Sequence, residues 1–205
     1  MRVLVACEFS GVVRDAFTRA GHDATSCDFL ETEISGKHVV GDVKHLLKKK
    51  WDLIIAHPPC TYLSNSGVMW LHRDKARWKK MIEGAYFFKM FLESNCKKIC
   101  VENPIMHGYA KEIIGVNQTQ VIQPWMFGHM EQKATCLWLK GLPQLVPTKD
   151  VKKKMMKLPD SQRQRLHYLP PGKDRQKERS RTFQGIANAM AEQWGINFPN
   201  SLQGY

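Results

Sequence analysis

The 205-residue sequence lacks several features that would have fixed its class at once. No run of about 18 apolar residues exists, so no transmembrane helix is expected. No Cys-x-x-Cys pair or Cys/His zinc spacing is present, so neither a zinc module nor a thioredoxin-like redox motif is expected. There are no internal repeats, and acidic residues are scarce, at 19 Asp+Glu against 31 Lys+Arg. The opening Met1 to Glu8 has an apolar stretch of five ended by a charge, which predicts a first core strand, not a signal peptide. With no secretion signal, the six cysteines are expected in a reducing, cytoplasmic compartment, mostly as small buried hydrophobes.

What is present is an ordinary globular composition, 43% hydrophobic and 24% charged, with a net charge of +12. The length suits one domain spanning 1–205, and the basic balance points to a polyanionic partner, most often nucleic acid. Short β-branched runs alternate with helical spacing. Val3 to Ala6, Asp23 to Cys27, Val39-Val40, Leu53 to Ala56, Lys98 to Val101, Gln120 to Ile122 and Thr135 to Leu139 read as strands. Gly11 to Ala20, Asp74 to Glu93 and Thr182 to Trp194 read as amphipathic helices. This alternation predicts an α/β fold, a mostly parallel Rossmann-like sheet with helices on both faces.

Charge is not evenly spread. From Val151 to Arg181 there are eleven cations against three acids, two thirds of the whole excess. With few apolar residues, residues 141–181 cannot make a core and are expected as an exposed basic insertion or mobile arm. The helix at 182–195 would then return to the main domain. Lys152, Lys153, Lys154, Lys157, Lys173, Arg179 and Arg181 are candidate phosphate contacts.

Ligands of open α/β sheets bind beyond the carboxyl ends of the strands. The first strand is followed by Glu8-Phe9-Ser10-Gly11, a small-residue turn opening a helix N-terminus. Asp28 follows the second strand and Gly41-Asp42 the third, acids suited to the ribose hydroxyls and an exocyclic amine or ring nitrogen of an adenosyl cofactor. After the fourth comes His57-Pro58-Pro59-Cys60, where two prolines freeze the backbone before a thiol. After the fifth comes Glu102-Asn103-Pro104. A thiol and a carboxylate from adjacent strands can bracket one planar heterocycle. His57 reads as a hydrogen-bonded strand-end residue, with a general-base role as the lesser alternative. The loop beyond Cys60 carries Trp70, His72, Arg73, Lys75, Arg77 and Trp78, mixing cations with aromatic faces. Trp78 and Trp125 read as packing residues, and Trp70 is open between core and stacking.

These residues resemble a shortened DNA (cytosine-5) methyltransferase, over roughly 1–140 and 182–195. The resemblance implies that Phe9, Ser10, Gly11, Asp28, Asp42 and Pro58 hold S-adenosyl-L-methionine (AdoMet). It implies that Cys60 is the nucleophile adding to cytosine C6, with Glu102 holding or protonating N3. Asn103 would support the loop or the base edge. A thiolate is required, so a lowered Cys60 pKa is expected. Three departures stand out. The first turn has one glycine, the family's Gln-x-Arg-x-Arg strand is reduced to Gln132-Lys133-Ala134-Thr135, and the large target-recognition domain shrinks to the basic stretch. The implied partner is DNA, with Arg73 and Lys75 joining the basic stretch in phosphate contact, and no metal. Two rival readings remain: the same chemistry on RNA or a free cytosine nucleotide, and a nucleic-acid-binding module with a decayed site.

Overall fold

The computed structural model describes residues 1–172 and 174–196; Lys173 and residues 197–205 lie outside the described residues. Seven strands form one sheet: β1 (Arg2–Ala6), β2 (Asp23–Asp28), β3 (His38–Val40), β4 (Leu53–Ala56), β5 (Ile99–Pro104), β6 (Gln120–Ile122) and β7 (Thr135–Lys140). Their order is β3-β2-β1-β4-β5-β7-β6. The first five are mutually parallel, and β7 runs antiparallel to both β5 and β6. This is a Rossmann-like, mostly parallel α/β sheet.

The central strands β1 and β4 read as continuous apolar runs because both of their faces are covered. Successive side chains alternate between two cores. Leu4, Ala6, Ile54 and Ala56 face α4 (Ala76–Leu92) and α5 (Gly108–Ile114). Val3, Val5, Leu53 and Ile55 face α1 (Val12–Arg19) and a last helix, Gln184–Trp194. Helix α4 buries Met81, Ala85, Phe88 and Phe91, a stripe at helical spacing. Ile82, next to Met81 on the same helix, is exposed. Two short helices complete this half: α2 (Lys44–Leu47) before β4, and α3 (Met69–Arg73) between Cys60 and α4.

Two expectations are corrected. The fifth strand does not stop at Val101. Glu102, Asn103 and Pro104 continue it, paired with Leu137, Cys136 and Thr135 of β7. Proline is tolerated there because pairing with β4 ends at Val101, so its missing N–H faces no partner on that side. The basic stretch, expected as an exposed insertion or a mobile arm, does not show the second among its described residues. It folds into α6 (Lys152–Met155), α7 (Asp160–Arg163), α8 (Arg165–Tyr168) and α9 (Arg175–Ser180), followed by α10 (Gln184–Trp194). Met155 and Leu166 are buried anchors. Val151 N donates to Trp125 O at 2.9 Å, Gln132 N to Arg163 O at 2.6 Å, and Leu166 N to the Glu131 carboxylate at 3.1 Å. Two apolar side chains and these main-chain bonds supply the docking that charge counting concealed. No described helix is long and apolar enough to cross a membrane.

Candidate active site

The strand order reverses between β1 and β4, and crevices form at such switch points. Cys7, at the end of β1, is the one described non-glycine residue with positive φ, 57°. It lines an open cleft of about 110 Å³ together with Cys27, Asp28, Phe29, Gly41, Asp42, Val43, Pro59 and Phe87. The two acids named from the sequence therefore share one cleft. Burial, then Asp28, Cys27 and Asp42, push the Cys7 thiol up, so it stays a neutral wall of the cleft. Cys27 is pushed up to about 11 by burial and the same two acids.

The first turn works differently from the expectation. Glu8 is buried, and its carboxylate accepts from Val13 N at 2.7 Å and Arg14 N at 3.2 Å. The amides of the α1 N-terminus are thus satisfied internally and do not await a phosphate. Ser10 Oγ donates to the same carboxylate at 3.3 Å, and Phe9 is buried. Gly11 sits at φ 73°, and a Cβ there would lie 2.6 Å from the Arg14 guanidinium, so this one glycine is required. Phe9, Ser10 and Gly11 shape the turn and do not line the cleft. Pro58 is buried behind it, and Pro59 is the proline that faces it.

Cys60 is held by the turn after β4. Leu63 N and Ser64 N both donate to Cys60 O at 3.0 Å. Asn103 Nδ2 donates to Pro58 O at 2.8 Å, and His107 Nε2 bonds Tyr62 O at 2.9 Å. Of the two roles considered for Asn103, Nδ2 serves loop support, while the buried Oδ1 has no protein partner. Glu102 lies on the neighbouring strand, and His57 Nδ1 donates to Glu102 Oε2 at 3.1 Å. The other ring nitrogen, His57 Nε2, is buried without a protein partner.

The electrostatics run against the expected lowering of the Cys60 pKa. Burial, and secondly the Glu102 charge, push the Cys60 thiol above its ordinary value; Lys133, its own backbone and Arg179 pull down without prevailing. Glu102 moves the other way. Burial raises it, but the hydrogen bond and charge of His57, with Lys133, hold it below the usual carboxylate range. Glu102 is thus set as an anionic acceptor, not as a resting proton donor. Lys133 lies in the Gln132–Thr135 stretch named from the sequence. It lines a small pocket with Glu102, Thr135, Thr182, Phe183, Ile186 and Met190, and donates to Arg179 O at 2.7 Å.

The proposed phosphate contacts divide. Arg73, Lys75, Lys152, Lys153, Lys154, Lys157 and Arg179 are exposed. Arg181 is not free: it grips Glu33 through two bonds of 2.7 and 3.0 Å and also pairs with Glu178. It is a strut between α9 and the β2–β3 loop, which corrects its assignment. Sequence reasoning missed three residues. Cys7 has no local signal for its left-handed backbone. Lys133 was noticed only as a substitute for missing arginines. Arg14 is a fully buried cation bonded to Ser26 Oγ and Thr32 Oγ1, each at 3.1 Å, and to Ile34 O and Ser35 O. A cation in an amphipathic helix reads as solvated, so nothing in the sequence signalled that it fastens the β2–β3 loop.

No family model matches the chain. No curated protein matches it either. Among solved structures it is similar to an E. coli prophage-encoded protein described as a DNA modification methyltransferase, at 16% identity and TM-score 0.46, covering 78% of this chain and 56% of that one. It is also similar to a triple mutant of Spodoptera frugiperda DNMT2, at 15% identity and TM-score 0.40, covering 74% and 53%. The chain spans a little over half the length of each. Likenesses of this order concern the course of the backbone, not its chemistry.

Proposed function

We propose that this protein transfers a methyl group from AdoMet to C5 of cytosine in nucleic acid, DNA foremost, through a covalent adduct on Cys60. The observation that carries the reading is the placement of Cys60 on its two-proline turn beside the Glu102 carboxylate of the adjacent strand, next to an acidic cleft. The cleft residues suit AdoMet. Asp28 and Asp42 offer acceptors to ribose hydroxyls and an adenine amine. Phe29, 74% exposed, offers a ring face. The internally capped α1 N-terminus suits a cofactor without phosphates, and the negative lining suits a sulfonium cation. When bound, AdoMet supplies an electrophilic methyl carbon.

The chain's own residues do the rest. Cys60 loses its proton, and Sγ bonds to cytosine C6, which makes C5 enamine-like and nucleophilic. After C5 is methylated, a base supplied by solvent takes the C5 proton, the C5=C6 bond re-forms as the Sγ–C6 bond breaks, and the thiolate is restored; the net exchange is methyl for proton. Glu102 holds the base at N3, and passing the proton given up by Cys60 to N3 offsets the negative charge that builds there as the adduct forms; that proton returns when the thiolate leaves. Asn103 keeps the Pro58 carbonyl, and with it the turn, in place. Lys133 and Arg179 are the cations that favour the Cys60 thiolate. The test is incubation with methyl-labelled AdoMet and, separately, DNA, RNA and dCMP. Label in 5-methylcytosine, with a 5-fluorocytosine oligonucleotide trapped on Cys60, is the expected result. Label on an exocyclic nitrogen, or no trapped adduct, would overturn it.

A further inference from the structure

The loop that presents Cys60 continues into a surface the reaction itself does not use. Its backbone is stitched to the end of β5: Asn65 N donates to Ile105 O at 2.8 Å, and His107 N to Leu63 O at 3.1 Å. The two segments together display aromatic rings outward. Trp70 is 53% exposed and Tyr109 40%. His72, Trp78 and Tyr109 meet edge-on, with centroids 5.8 Å apart for His72–Trp78 and His72–Tyr109, and 4.9 Å for Trp78–Tyr109. These contacts fix the rings without covering them.

Cations are interleaved with the rings. Arg73 stacks over Trp70 at 5.3 Å, and Arg77 and Lys80 lie over Tyr62 at 4.7 and 5.7 Å. Lys75 and Lys79 are exposed beside them. From Met69 to Lys80 there are five Lys and Arg against one acid, Asp74. Asp74 Oδ1 is engaged by Ala76 N at 2.9 Å.

An exposed apolar patch next to a protein partner would not need this charge. A duplex would meet the charge but offers no base faces to the rings. Only a strand with unpaired bases presents phosphates and π-faces together. Resting on the nucleic-acid reading above, we infer that the α3 surface, centred on Trp70 and Tyr109, is a stacking platform for unpaired nucleotides flanking the target base, so that the substrate is single-stranded nucleic acid.

The test is equilibrium binding by the full-length Cys60→Ser variant, without AdoMet, so that it reads the platform whether or not methyl transfer occurs. The probes are a fluorescently labelled single-stranded DNA 12-mer, its RNA counterpart, its blunt duplex and a strand of equal length with abasic sugars. The single strands are expected to bind more tightly than the duplex. Trp70→Ala, at an exposed site that leaves the fold intact, is expected to weaken them roughly five- to a hundredfold. Trp70→Phe should retain most of the affinity, and the abasic strand should not respond to either change. The DNA-to-RNA affinity ratio then shows which polymer the platform takes. Equal binding of duplex and single strand, or a Trp70→Ala effect as large on the abasic strand, would overturn the inference. Failure to methylate any substrate, with strand binding intact, would instead remove the proposed function.

Discussion

The two sides of the β1/β4 switch point are built in opposite ways. On the β1–β3 side, Asp28 at the end of β2 and Phe29, Gly41 and Asp42 in the loops beyond stand around an open cleft. On the β4–β5 side, His57 is bonded to Glu102, Asn103 holds the Pro58 carbonyl, and Cys60 O accepts from Leu63 N and Ser64 N, in a mostly buried setting. The difference suits a ligand that must enter and leave on one side and a reacting base that must be held on the other. A shared bias toward negative charge crosses the boundary: acids raise Cys7 and Cys27 on one side, and Glu102 helps raise Cys60 on the other.

The sharpest way to break this division is to remove the thiol alone. Cys60→Ser is expected to lower methyl transfer by ~10⁴-fold or more. Calorimetric AdoMet affinity should stay within about twofold, since only the held side is changed. A variant that keeps full activity would end the covalent reading. The converse change, Asp42→Ala, is expected to weaken AdoMet binding by about ten- to a hundredfold, the worth of one hydrogen bond to a charged group. It should leave fluorocytosine-independent thiol alkylation of Cys60 unchanged; a parallel loss of thiol reactivity would mean the two sides are not separable.

A smaller effect concerns pH. The reactive form of Cys60 is the thiolate, and its folded pKa lies above the ordinary thiol value. The thiolate fraction therefore grows as pH rises, so kcat/KM is expected to climb tenfold per pH unit through neutrality and level off only above about pH 9. Lys133→Met, which removes the first of the lowering charges, should move that limb further up; a plateau already reached at pH 7 would contradict the electrostatics described here. Smallest of all is the change expected from neutralising Lys152, Lys153, Lys154 and Lys157 together. If these four contact single-strand phosphates, the log–log salt slope should flatten by roughly 3. Transfer to free dCMP should survive, and an unchanged slope would turn the quartet into a solvated surface.

The sequence was most readable where one local pattern had one physical meaning. Leu53 to Ala56 could hardly be other than a buried strand, and Pro58-Pro59 marked its end and the presentation of Cys60. Asp28 and Asp42 were legible because strand ends are where such sheets bind. What stayed hidden depended on tertiary partners. The extension of β5 through Pro104 needs the antiparallel β7 beside it. The direction of the Cys60 and Glu102 shifts depends on burial and on His57 across the strands, neither of which spacing reveals. The docking of α6–α9 rests on Met155, Leu166 and Glu131, three residues among many charged ones. Arg181, expected on phosphate, was claimed by Glu33, 148 positions away.

The packing of α10 on α1 also sets the order in which the molecule can be completed. Val13, Ala16 and Phe17 share their core with Ile186, Ala187, Met190 and Trp194, and Arg19 meets Asn188 across 169 positions of chain. A ribosome emits α1 well before α10, so the apolar side of α1 stays uncovered until the intervening chain has been made. The half of the sheet that carries α4 and α5 closes with nearer neighbours and can consolidate first. Closing so long a loop favours slow folding, and a nascent chain halted before α10 would expose a stripe that invites chaperone capture.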